Sequence, residues 1–153
     1  MGLIDDLVSF FFPPKQYGKL SVTVHGEEVK SDGEQKIADF LTRNGVRYEY
    51  EPLIETGIWI FTQKVSRPDF YLPDYDVYIE YWGMVDVADE HDRKKYVRSM
   101  KWKMRQYNKL GVRFVSVYPR NLSNLDWVFR KKFKEVTGRD MPRLPQATPH
   151  RSR

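Results

Sequence analysis

The stretch from Arg67 to Gly83 constrains this chain more than any other. It reads Arg-Pro-Asp-Phe-Tyr-Leu-Pro-Asp-Tyr-Asp-Val-Tyr-Ile-Glu-Tyr-Trp-Gly. Two runs rich in aromatic and β-branched residues flank Pro73-Asp74-Tyr75, which predicts strands over 68–72 and 76–82 joined by a tight turn. A turn centred on Asp74-Tyr75 sets Asp69 directly opposite Glu80, and facing residues have Cβ atoms about 4.5–5.5 Å apart. Phe70, Val77 and Ile79 then point to the other face, as a core requires. Two carboxylates so close repel, and the pair needs a cation or a raised pKa. Such oxygen donors suit Mg2+ or Mn2+. The plainer alternative is that Asp69 merely starts a strand and Glu80 is a solvated strand residue.

The remaining pattern supplies the framework. Leu3 to Phe12 reads as a short apolar helix stopped by Pro13-Pro14. Leu20 to Val24 alternates like a strand, and His25-Gly26 turns it back through Lys30. Ser31 to Asn44 is a helix with Ser31 as N-cap, a buried stripe of Ile37, Phe40 and Leu41, and Gly45 at its end. Val46 to Pro52 and Ile58 to Lys64 read as two strands. A long helix is expected over Asp89 to Leu110, with Tyr96, Val97, Met100, Met104 and Tyr107 on one face. Arg113 to Tyr118 is a strand and Leu122 to Val136 a final helix. The order predicts an α/β fold in which a mixed central β-sheet is flanked by helices. Residues 1–137 make one domain, with 1–30 as a helix-and-hairpin extension. The basic, proline-punctuated stretch 138–153 makes a flexible tail.

Composition narrows the chemistry. The chain has no Cys, which excludes thiolate metal sites, disulfides and cysteine nucleophiles. Its three histidines, His25, His91 and His150, are scattered. No apolar run approaches the roughly 18 residues of a spanning helix, and the start carries Asp5 and Asp6 without a basic n-region. An intracellular, cytoplasmic or nucleoid-associated protein with no membrane partner is expected. The formal net charge of +5 is unevenly divided. Residues 1–90 carry 8 basic and 17 acidic side chains, net −9, whereas residues 91–153 carry 18 and 4, net +14. A basic half of that size suggests an anionic partner, nucleic acid foremost.

Glu34 supplies a third acid. It sits in Ser31-Asp32-Gly33-Glu34, which also has capping-box spacing. A capping Glu would fold back on its own backbone rather than face the sheet. Glu34 on a first helix, Pro68-Asp69 on a strand and Glu80 at the end of the next strand together resemble the PD-(D/E)XK nuclease superfamily, over about residues 31–133. The resemblance implies a restriction-endonuclease-like core and metal-dependent DNA phosphodiester hydrolysis. Mg2+ (or Mn2+) would be held by Asp69 and Glu80, with help from Glu34 and the carbonyl of Tyr81.

The chain departs from that pattern at one position. The family usually places Lys two residues after the second acid, and here Trp82 stands there. Some members with a similar Glu-x-aromatic-Gly run carry the lysine on the following helix. Lys103 borders the buried stripe three residues after Met100 and four before Tyr107, so it is the candidate amine. Lys101, on the opposite margin, is the alternative. Such an ammonium would orient or help deprotonate the attacking water and balance phosphate charge. The alternative role for Lys103 is a solvated lysine snorkelling past the core.

The outer face of the long helix collects Lys94, Lys95, Arg98, Lys101, Trp102, Arg105 and Lys109 as candidate DNA contacts, the cations for phosphates and Trp102 for an unpaired base. The expected activity is that of a Mg2+-dependent endonuclease, structure-specific on branched DNA and similar to Holliday-junction resolvases. A homodimer is expected, with Leu7, Val8, Phe10, Phe11 and Phe12 as a dimer contact. The alternatives are a nicking or end-processing nuclease of repair or defence working beside a helicase, and a catalytically degenerate DNA-binding protein.

Overall fold

A computed structural model describes residues 20–52 and 67–144. The N-terminal apolar segment, the strand expected over 58–64 and the last basic residues, Arg151 and Arg153 among them, lie outside the described residues. A short antiparallel hairpin comes first, β1 (Ser21–Val22) against β2 (Glu28–Val29). Gly26 turns it at φ 81°, a left-handed conformation that glycine adopts without a steric cost.

Helix α1 (Asp32–Arg43) follows, and the Ser31 side chain accepts the Glu34 N–H as expected of an N-cap. Next come β3 (Glu49–Tyr50), β4 (Phe70–Leu72) and β5 (Val77–Tyr81). Helix α2 (Glu90–Lys109) crosses to β6 (Phe114–Val117). A 3-10 turn (Pro119–Asn124) leads into α3 (Leu125–Thr137). The last helix thus begins later than its sequence suggested, because Pro119 opens a tighter turn before the α-helical one.

Among the described residues the main sheet has the order β3-β4-β5-β6, antiparallel for the first two pairings and parallel between β5 and β6. The fold is mixed α/β, as expected. Alternation along the strands divides the sheet faces. Phe70, Leu72, Val77, Ile79, Val115 and Val117 meet Ile37, Phe40 and Leu41 of α1 and Phe129 and Phe133 of α3 in one core. The opposite face carries Tyr71 stacked on Tyr78 at 4.6 Å, Glu80, Phe114 and Ser116, with Tyr107 of α2 5.0 Å from Phe114.

Two expectations change. Of the apolar stripe on α2, only Tyr107 is buried; Tyr96, Val97, Met100 and Met104 are half-buried, and Lys103 joins Tyr107 inside. Within the stretch expected to trail from residue 138, the described residues 138–144 include one that is held to the body. Met141 is 6% exposed in the main core, and Arg130 Nη1 donates to its carbonyl at 2.9 Å.

Phe129 is fully buried, edge-on to Phe40 at 5.3 Å. Phe129→Ala is expected to cost about 3–5 kcal/mol, read from the denaturant midpoint at constant m-value. A loss under about 1 kcal/mol would place that ring outside the core.

Candidate active site

The β4–β5 register pairs Phe70 with Ile79, Tyr71 with Tyr78 and Leu72 with Val77. Asp69 lies at a bend just ahead of β4, so the strand pairing that would set it directly opposite Glu80 ends one residue short. Asp69 N–H donates to the Ile79 carbonyl at 3.1 Å. Its Oδ2 then accepts the Tyr81 N–H at 2.6 Å, so a side chain takes over the ladder where Pro68 ends it. Both acids are almost wholly enclosed, Asp69 at 1% and Glu80 at 2% exposure. Neither is a solvated strand residue.

Lys103 and Tyr107 are one helical turn apart on α2 and reach the same oxygen. Lys103 Nζ lies 2.6 Å from Glu80 Oε1, and the Tyr107 hydroxyl donates to that oxygen at 2.5 Å. The ammonium also donates to the Arg67 carbonyl at 3.3 Å, which ties α2 to the entry of β4. Lys101, by contrast, is exposed. Of the two candidate amines, the helix turns Lys103 inward.

Trp82 stands two residues beyond Glu80. It is buried, and its indole N–H donates to Ser116 Oγ at 2.9 Å. Its ring lies 5.7 Å from the Lys103 ammonium, and the Tyr107 ring is equally distant. The amine thus arrives from the helix and is caged by two aromatic rings, a favourable setting for a cation. Burial pushes the Glu80 carboxyl well above its usual range; the Lys103 charge opposes that shift and the Asp69 charge reinforces it.

Glu34 is also buried, but it is engaged elsewhere. Its Oε2 accepts the Tyr50 hydroxyl at 2.5 Å and the Lys30 N–H at 3.1 Å. The carboxylate therefore satisfies backbone just ahead of its helix and the phenol of β3. Burial, and next to it the hydrogen bond to Glu34, hold that phenol far above the ordinary tyrosine range. Lys30 pairs with Glu51, and the Glu51 N–H donates to the Asp69 carbonyl at 2.9 Å. Glu51 sits at φ 46°, a conformation that costs a non-glycine residue about 1–3 kcal/mol.

Among the described residues no three acid or imidazole side chains converge on one point. Asp69 lies near enough for its charge to act on Glu80, and Glu34 is linked to Asp69 through Lys30, Glu51 and the Tyr81 ring. That ring lies on Gly33, where an added Cβ would stand 2.2 Å from it. Burial raises the Tyr81 phenol first, and the charges of Glu34 and Asp69 add to the shift.

The outer face of α2 is less uniform than its sequence. Arg98, Lys101, Arg105 and Lys109 are exposed, and Lys94 pairs with Glu90 at 2.6 Å. Lys95 and Trp102 are half-buried. Tyr107 and Ser116 are the polar partners that periodicity does not reveal. The only sequence signal for the former is a tyrosine in a stripe where phenylalanine would pack as well.

Among the described residues no helix is long and apolar enough to cross a membrane. No protein-family model, curated protein or solved structure matches the chain.

Proposed function

We propose that the chain is a metal-dependent DNA endonuclease with a restriction-endonuclease-like core. One observation carries this reading: a buried lysine from α2 meets the buried Glu80 in a sheet face otherwise lined by aromatic rings. Two enclosed carboxylates fit a hard divalent cation, because the Asp69 charge adds to the cost of ionising Glu80 and only oxygen donors are offered. Asp69, Glu80 and the Tyr81 carbonyl would hold Mg2+ or Mn2+. The bound ion supplies neutralisation of the phosphate charge and acidification of a water molecule.

The chain's own groups have separable roles. Tyr107 fixes Glu80 through Oε1, which leaves Oε2 for the ion. Lys103 brings a positive charge to the scissile phosphate and orients the attacking water. Trp82 excludes bulk water and holds the ammonium against drift. Glu34 supports the site from the N-terminus of α1, steadied by Tyr50. Branched DNA is the preferred substrate in this reading, with a homodimer making paired cuts. Single nicks or end trimming would instead mark a repair or defence nuclease.

The test is cleavage of four-way junctions, flaps and linear duplexes with Mg2+ or Mn2+, comparing the wild type with Asp69→Asn. Metal-dependent cutting that falls by at least about 10³-fold in the variant is expected. A wild type that cuts nothing with either metal sinks the enzyme reading. Trp82 in the lysine position favours the second reading, a DNA-binding protein that has lost catalysis. It would bind the same panel without cutting.

A further inference from the structure

Strand β6 is the edge of the main sheet, and it pairs only with β5 among the described residues. Its Val117 carbonyl accepts the Trp82 N–H at 2.8 Å, so the preceding Ser116 carbonyl points to the open side. Lys132 of α3 reaches around that edge and donates to it at 2.7 Å, and to Asn121 Oδ1 at 3.3 Å. Ser116 is the register partner of Glu80. The Lys132 ammonium is therefore held one strand beyond the carboxylate.

A second cation shares the place. The Lys132 ammonium lies 4.9 Å from the centre of the Tyr118 ring, and the Arg120 guanidinium lies 4.7 Å from the same centre. Among the described residues neither cation has a carboxylate within ion-pair distance. The Arg120 guanidinium donates no hydrogen bond within them. Arg120 is exposed, and stacking engages the face of its guanidinium while leaving its edge donors for a ligand. Lys132 spends two of its three protons on fixed acceptors. Burial and the Arg120 charge both disfavour its ionised form, and Glu135 offsets this to a smaller extent. Two cations fixed on one ring, with no carboxylate in ion-pair distance among the described residues, are complementary to a dianionic or monoanionic oxyanion, above all the bidentate fork of a phosphate.

We propose that Arg120, Tyr118 and Lys132 form a phosphate-binding subsite that grips the DNA backbone beside the scissile phosphate, at the β6 edge. This rests on the nuclease reading for the identity of the ligand. It directs the strand across the ends of β5 and β6 toward α3, rather than along α2 alone.

The test measures binding of a fluorescein-labelled 20-base-pair duplex to the full chain by anisotropy, in EDTA, over a range of NaCl concentrations. Neutralising a phosphate releases counterions, so each lost contact should lower the slope of log K against log salt by about 0.9. Arg120→Gln is expected to lower it by about 1, and Arg120→Gln/Lys132→Gln by about 2. Lys36→Gln/Arg43→Gln removes the same charge from exposed positions on α1 and is expected to keep the wild-type slope.

Thermal melts check folding, and Arg120→Gln alone, at an exposed side chain, keeps the test decisive if the double variant unfolds. Wild-type slopes in both Arg120 variants overturn the subsite, as does an equal drop in the α1 control. The nuclease reading fails separately, if the wild type binds the duplex yet cleaves no DNA with Mg2+ or Mn2+.

Discussion

Lys103→Met is expected to lose cleavage by about 10²–10³-fold and to destabilise the domain by about 3–5 kcal/mol. The two losses have different origins. The amine is within ion-pair distance of the Glu80 carboxylate, which is 2% exposed and also feels the Asp69 charge. Its removal leaves the Glu80 carboxylate buried, facing a like charge and answered only by the Tyr107 hydroxyl. The chemical loss comes from taking a fixed positive charge away from the phosphate and its attacking water. Denaturant melts give the stability loss, and single-turnover cleavage at a temperature where the variant is folded gives the rate loss. Lys101→Met, at an exposed position, is expected to leave stability within about 0.5 kcal/mol of wild type. Undiminished cleavage by folded Lys103→Met would remove the amine from the mechanism.

Glu80→Leu/Lys103→Met/Tyr107→Phe is expected to be more stable than wild type by about 1–4 kcal/mol and wholly inactive. A buried ion pair is a poor source of stability, because both charges leave water to form it. Replacing all three polar groups by apolar ones of similar size removes that cost and leaves no hydroxyl without an acceptor. The sheet face already has the setting for such a patch, with Trp82 and Phe114 beside it. If the triple variant falls more than about 3 kcal/mol below wild type, the cluster is a structural brace instead.

The parts of the site legible in the sequence are those set by local geometry. The turn at Asp74-Tyr75 fixes the register of Phe70, Tyr71 and Leu72 against Ile79, Tyr78 and Val77, as spacing alone indicates. The inward direction of Lys103 follows from helical periodicity. The parts set by contacts between distant segments were not legible. Nothing near Glu34 announces that Tyr50 will supply its hydrogen bond. The capping spacing held for the Ser31 side chain, but the Glu34 carboxylate answered the Lys30 N–H and the Tyr50 phenol. The stripe on α2 misled for a related reason. Its inner surface is organised around the Lys103 ammonium and the Tyr107 hydroxyl, and only the latter residue counts as core by hydrophobicity. Met141 was assigned to a tail because its neighbours are basic and proline-rich, yet it packs into the main core.

A lysine two residues beyond Glu80 would be tied to that acid by covalent chain and would accompany it even in a half-folded sheet. Here the amine comes from a helix that must first dock. The acid–amine distance is thus a tertiary contact, formed only when α2 seats Lys103 between Trp82 and Tyr107. Assembly of the cluster reports completion of the fold. An emerging or partly unlatched chain presents paired strands and both carboxylates but no amine beside them.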